Sequence, residues 1–295
     1  LTMTTALHTI AFKAQTHPKH RFQNLYGLLG SDLLIQSWGQ LNKQSAPGID
    51  GKTFDDYRPD LMSHIDRLRG QLKHKQYRAA DIKRVYIPKS NGGQRPLGLP
   101  TLDDKIVQQG VSQILQSIWE VDFQRCSYGY RPNKSAHQAV HSLMLNLQFK
   151  GYGYIVEADI KGFFDNMSHQ WLMKMLAQRV DDKALLTLIN QWLKARVREP
   201  EQKAIKPTSG TPQGGVVTPI TIVHNRHSRL WRCAAGFVVR RRFWIYSEHH
   251  NDFFPVYLDA FYKRSNDLTF GVKIHSAQGN IHFLRKLFKP VNYQK

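Results

Sequence analysis

Acidic residues are scarce in this chain: 22 Asp and Glu stand against 42 Lys and Arg over 295 residues, a formal charge of +20 with a pI near 10.0. Such an excess predicts a polyanionic partner, above all a nucleic acid backbone, whose binding weakens steeply with salt. A basic but unspecialised soluble protein is the other reading of the same numbers. Cysteine is nearly absent. Cys126 and Cys233 are the only two, which indicates neither a disulfide framework nor a zinc cluster and fits a reducing, cytoplasmic setting. No apolar run approaches the roughly 20 residues a membrane span needs, so no membrane partner is expected. The opening "LTMTTALHTIAFKAQTHPKHRFQNL" lacks the uninterrupted apolar core of a signal peptide. There is no internal repeat, no low-complexity linker and no dinucleotide-binding glycine fingerprint. What remains, at 41% hydrophobic content, is enough to bury the core of one large domain or two ordinary ones.

Residues 24–75 read as helical and polar, interrupted at 45–53 by "SAPGIDGKT", where Pro47, Gly48 and Gly51 mark a turn. In "DIKRVYIPKSNGGQRPLGLP", Ile82 to Ile87 read as a strand, "SNGG" as a tight reversal and the run to Leu99 as the returning limb. Lys89 and Arg95 then flank a hairpin tip. Such residues occur on solvated turns by chance, but two cations beside glycine amides also suit a phosphate clamp. Thr101 and Asp104 have capping-box spacing, and Ile106, Val107, Val111, Ile114, Leu115, Ile118 and Trp119 recur at helical intervals, predicting a core-facing helix of about 20 residues. A second helix starts near Ser135 and buries Ala139, Val140, Leu143 and Leu147. Ser168 caps another through Trp171, Leu172, Met175 and Leu176, and a further one carries Leu185, Leu186, Ile189 and Trp192. Their Met and Trp stripes read as ordinary core. The mixture predicts an α+β fold.

The chemistry starts at "GYGYIVEADIKGFFDNMSH", residues 151–169, where a short apolar strand delivers a carboxylate, Asp159. A strand-end turn or helix cap explains a lone Asp. A metal site explains it too, because a hard cation such as Mg²⁺ takes carboxylate oxygens held on a rigid element. Further on, "SGTPQGGVVTP" at 209–219 combines three glycines and two prolines around one amide, Gln213: a stiff, close-approach loop.

Taken in order, "SAPGIDGKTFDDY", "VYIPKSNGGQRPLGLPTLDDKIVQQGVSQIL", "CSYGYRPNKSAHQAV", "YIVEADIKGFFDNMSH" and "SGTPQGGVVTP" resemble the group II intron-encoded (retron-type) reverse transcriptase and maturase family. The resemblance runs from about Leu25 to Pro219, roughly two thirds of the chain. It implies a right-hand polymerase with fingers and a partial palm behind a helical N-terminal extension, divided as 1–75, 76–219 and a divergent tail at 220–295. By resemblance, Asp159 is the first palm carboxylate holding two Mg²⁺ ions, with the Ile160 carbonyl as an auxiliary ligand. Those metals would activate the primer 3′-hydroxyl and neutralise the leaving group. Phe163 would be the aromatic gate against a ribose 2′-hydroxyl, or else a simple core Phe. Lys89 and Arg95 would grip the triphosphate, Gln213 would line the nucleotide pocket, and Pro212 and Gly214 would meet the template–primer. Asp165 fits ordering its own turn better than binding metal. The implied partners are an intron RNA template, a DNA primer and deoxynucleoside triphosphates.

The resemblance breaks after Pro219. The family needs Tyr-Ala-Asp-Asp shortly beyond "PQGG", and this chain has "ITIVHNRHSRLWRCAAGFVVRRRFWIYSEHH" instead. One carboxylate cannot hold two divalent ions about 4 Å apart, so polymerisation is expected to be impaired, and a non-catalytic RNA-binding remnant is the alternative. The codons TAC GCC GAC GAT TTT GG specify Tyr-Ala-Asp-Asp-Phe; read two nucleotides later they specify Arg-Arg-Arg-Phe-Trp, the "RRRFW" of 240–244. This predicts a truncated or frameshifted copy whose reading frame was lost between about Pro219 and Arg240, against the alternative of a coincidental Arg run. "VYLDA" at 256–260 offers one Asp and no pair, and "EHHND" at 248–252 resembles metal-ligand spacing only superficially.

Overall fold

A computed structural model describes residues 5–88, 92–123, 125–149, 154–160, 164–200, 204–211, 215, 236–239, 242–247 and 270–276, with the strands at 154–160 and beyond 235 given as backbone. In chain order the elements are α1 (Thr5–Thr16), α2 (Ser31–Gln40), α3 (Phe54–Tyr57), α4 (Leu61–Lys73), β1 (Ile82–Pro88), β2 (Gln94–Leu99), α5 (Leu102–Trp119), α6 (Ala136–Phe149), β3 (Tyr154–Ile160), α7 (His169–Leu176), α8 (Lys183–Leu193), β4 (Val197–Arg198), β5 (Gly236–Val239), β6 (Arg242–Ser247) and β7 (Phe270–Ser276). The fold is α+β, as expected from the sequence. The chain forms two compact units, Leu1–Asp122 with Phe164–His224, and Phe123–Phe163 with Asn225–Lys295.

The core of the first unit is built on α5. Thr101 caps it by accepting from the Asp104 amide, and Ile106, Val107, Val111, Ile114, Leu115, Ile118 and Trp119 are fully buried. Two of its glutamines bond to α2: the buried Gln113 donates to Ser37 Oγ at 2.9 Å and the half-buried Gln109 donates to the Gln40 side-chain oxygen at 2.7 Å. The "SAPGID" turn lies against the start of the same helix. Lys105 Nζ donates to Ser45 Oγ (3.1 Å) and the Ala46 carbonyl (2.7 Å), and a side chain on Gly48 would lie 2.6 Å from Thr101 Cα. Only a glycine permits that backbone approach.

Asp104 also serves a buried polar network. It accepts from Tyr77 Oη, from Thr101 Oγ1 at 2.9 Å and from the Ala80 amide at 3.2 Å, while Trp192 Nε1 on α8 donates to Tyr77 Oη at 3.0 Å. Burial outweighs those donors and pushes the Asp104 carboxyl up to about 6. At another joint, Arg179 Nη1 donates to both Asp122 oxygens (2.9 and 2.7 Å) and to the Pro18 carbonyl (2.7 Å), with the guanidinium over the Phe22 ring.

The expected hairpin is present. β1 and β2 pair antiparallel from Lys83↔Leu99 to Pro88↔Gln94, and β4 adds in parallel beside β1, giving the order β2-β1-β4. In the second unit β5, β6, β3 and β7 form one antiparallel sheet in that order. Residues 5–16, where apolar spacing marks no individual element, are helical; only Leu7 and Ala14 of α1 are buried, too sparse an apolar stripe to be legible. One core assignment is corrected. Trp171 is 64% exposed, because Leu172 and Leu176 define the inner face of α7 and Trp171 sits about 100° round the helix from it; the Lys174 ammonium lies 4.8 Å from its ring centre. On α6, Ala139 and Leu143 are buried and Val140 is half-buried, while the Leu147 side chain lies outside the described residues. No helix among the described residues is long and apolar enough to cross a membrane.

Candidate active site

"YIVEADI" forms β3, an interior strand of the second sheet, and Asp159 is its penultimate residue. Its backbone is therefore bounded on both sides. Asp159 is in register with Arg242 of β6 and with Gly271 of β7, and directly paired residues in an antiparallel sheet share a face. Two positions earlier on that face, Glu157 is in register with Trp244 and Lys273. Ile160 ends the strand opposite Phe270.

The "RRRFW" segment thus contributes Arg242, Phe243 and Trp244 to the strand beside the acid. The neighbours that the register gives Asp159 bring no carboxylate, and one of them is a cation. A pair of divalent ions needs several oxygen ligands around one point, and among the described residues the positions paired with Asp159 add no carboxylate.

A second constellation lies wholly in the first unit, where the start of "SGTPQGG" docks on the turn that follows "ADIKG". Gly210 N donates to the Met167 carbonyl and Thr211 N to the Phe164 carbonyl, both at 2.7 Å, and Ser209 Oγ donates to the Asp165 carbonyl at 3.3 Å. Gly210 has φ +81°, and a side chain there would meet the Asp165 oxygen at 2.7 Å and the Phe164 oxygen at 2.9 Å. Both conditions demand glycine. Ser168 caps α7, which places the buried His169 at its first turn; His169 Nε2 lies 2.6 Å from the Gly210 carbonyl oxygen. A carbonyl only accepts, so Nε2 carries the proton. The side chain of Asp165 is exposed, in keeping with a turn residue.

The structure brings Phe164 and Asp165 together with Ser209, Gly210 and Thr211, and it sets Asp159 in register with Arg242. Arg95 lies on β2 opposite Ile87 and is exposed. On the neighbouring strand, Arg84 Nε (3.2 Å) and Tyr86 Oη (2.7 Å) donate to Glu199. Lys89, Phe163, Pro212, Gln213 and Gly214 lie outside the described residues, as do "VYLDA" and "EHHND". Sequence reasoning missed His169, since a lone His after a helix cap carries no spacing signal. It also missed the docking partner of Gly210, which is 41 residues from His169.

A family model described as "Reverse transcriptase (RNA-dependent DNA polymerase)" matches residues 87–259. The match begins later than the motif-based resemblance and runs beyond Pro219 through β5 and β6. Among curated proteins, the chain is 34% identical over 219 residues to Protein YkfC of Escherichia coli K12, covering 72% of this chain and 57% of that one. It is 36% identical over 219 residues to the group II intron-encoded protein LtrA of Lactococcus lactis subsp. cremoris, covering 72% and 36%. The chain therefore spans 57% and 36% of the length of these two relatives. Of solved structures, a chain of the partial Cas6-RT-Cas1–Cas2 complex is similar at 23% identity and a TM-score of 0.46, covering 76% of this chain and 38% of that one.

Proposed function

This chain belongs to the reverse transcriptase family, in its group II intron maturase branch, and on that premise we propose that it is an RNA-directed DNA polymerase by descent whose nucleotidyl transfer is impaired. The observation that carries the proposal is the Asp159–Arg242 register, together with a sequence that holds no Tyr-Ala-Asp-Asp. Family enzymes depend on a divalent metal, Mg²⁺ by resemblance, and the positions that pair with Asp159 across the sheet are Arg242 and Gly271, neither of them an acid. In this reading Lys89 and Arg95 hold triphosphate on the β1–β2 hairpin, Phe163 and Gln213 line the nucleotide pocket, and Pro212 and Gly214 meet the template–primer. Ile160 retains its place beside Asp159. The extension at 1–75 and the fingers and partial palm at 76–219 bind intron RNA and primer, and 220–295 is the divergent part. Primer extension on poly(rA)–oligo(dT) with Mg²⁺ tests this: wild type and Asp159→Ala both stay near background. Robust extension abolished by Asp159→Ala would overturn the impairment.

A second reading, a non-catalytic RNA-binding remnant, is favoured by the +20 charge. It expects RNA affinity that survives Asp159→Ala and falls with salt; about five neutralised phosphates on a single strand give a log–log slope near −3.5. Absence of RNA binding at low salt would refute it.

A further inference from the structure

From the docking of residues 209–211, we infer that His169 is a positioning residue: it clamps the Gly210–Thr211 peptide and so sets where the chain enters the "PQGG" motif. The inference rests on the reading of that motif as part of the nucleotide and template–primer site. A peptide unit is planar, so holding its carbonyl and its N–H fixes its whole orientation. Both ends of this one are held. The Gly210 carbonyl accepts from His169 Nε2 at 2.6 Å, and the Thr211 amide donates to the Phe164 carbonyl at 2.7 Å.

The clamp is enclosed, with His169 at 8%, Phe164 at 6% and Thr211 at 5% exposure, so water does not compete freely for the Gly210 carbonyl. The anchors are also rigid. His169 begins α7, whose cap is Ser168, and the Gly210 amide is tied back to Met167, two residues before His169. Pro212 follows directly, and its ring restricts the backbone of Thr211 before it. The outcome is a mechanical link between the turn after the Asp159 strand and the glycine-rich motif, two segments about 40 residues apart in sequence.

The test compares the full chain with His169→Leu, which keeps an apolar body without a donor, and His169→Gln, whose side-chain amide restores one. Hydrogen exchange is read at the Gly210 and Thr211 amides, and affinity for a fluorescent dTTP analogue is read with poly(rA)–oligo(dT) present. We expect His169→Leu to speed exchange at those two amides about tenfold, the scale of one lost hydrogen bond, with α5 and α8 unchanged, and His169→Gln to return it near wild type. Should His169→Leu not fold, His169→Asn, whose amide is too short to reach, replaces it. Unchanged exchange at both amides, or an equal rise throughout the first unit that His169→Gln fails to reverse, overturns the inference. If exchange behaves as expected but dTTP affinity ignores both His169→Leu and Gln213→Ala, the clamp stands and the pocket reading fails.

Discussion

Asp159 on β3 stands directly opposite Arg242 on β6. Opposite charges at directly paired positions contribute roughly 0.2–1 kcal/mol, so the register sets a cationic residue, not a second acid, across from Asp159. Millimolar Mg²⁺ is accordingly expected to leave the thermal unfolding midpoint of the chain unchanged, in wild type and in Asp159→Ala alike. An upward shift with Mg²⁺ that Asp159→Ala removes would reveal a bound ion by linkage.

The contact between Gly48 and α5 makes another prediction. A side chain at 48 would press on Thr101 backbone atoms at 2.6 and 2.7 Å, and backbone cannot swing aside as a side-chain tip does. Gly48→Ala should destabilise the chain by about 1–3 kcal/mol, the usual cost of overpacking, read as a lower denaturant midpoint. A midpoint equal to wild type would mean the turn relaxes freely.

Asp104 should make stability depend on pH. Its folded carboxyl sits near 6 against an ordinary value of 3.8, so between those values the folded state binds more protons than the unfolded one. Stability from this group is then fully present below pH 3.8 and is lost as pH rises through 6, by an amount of order 3 kcal/mol. Denaturation at pH 4 and pH 7 measures it, with Asp104→Asn expected to flatten that interval. An equal slope in the variant would assign the dependence to other groups.

Removing one partner of the Arg179–Asp122 pair strands a charge. The two side chains are 4% and 11% exposed, and breaking a buried pair typically costs about 3–5 kcal/mol. Asp122→Ala should therefore unfold at markedly lower temperature, whereas Asp181→Ala, on the more open Arg21 pair, should change little. Similar losses for both would show that enclosure is not what matters.

Much of the fold was legible because the signals were local. The "IKRVYIP" and "QRPLGL" limbs, the Thr101 and Ser168 caps and the apolar spacing of α5 all act within a few residues. The family motifs were legible for the same reason, since each is a short contiguous string. Trp171 was misplaced because one residue of offset on a short helix separates core from solvent, a distinction composition does not record.

The sequence by itself determined the basic charge, the α+β element types, the family and the lack of a Tyr-Ala-Asp-Asp string, all properties of neighbouring residues or of totals. Only the tertiary structure decided that Arg242 is the residue set beside Asp159, and that His169 and Gly210 meet. Strand register and loop docking join positions about 40 to 80 residues apart, and they follow from how sheets pair and how buried donors find acceptors rather than from any local preference.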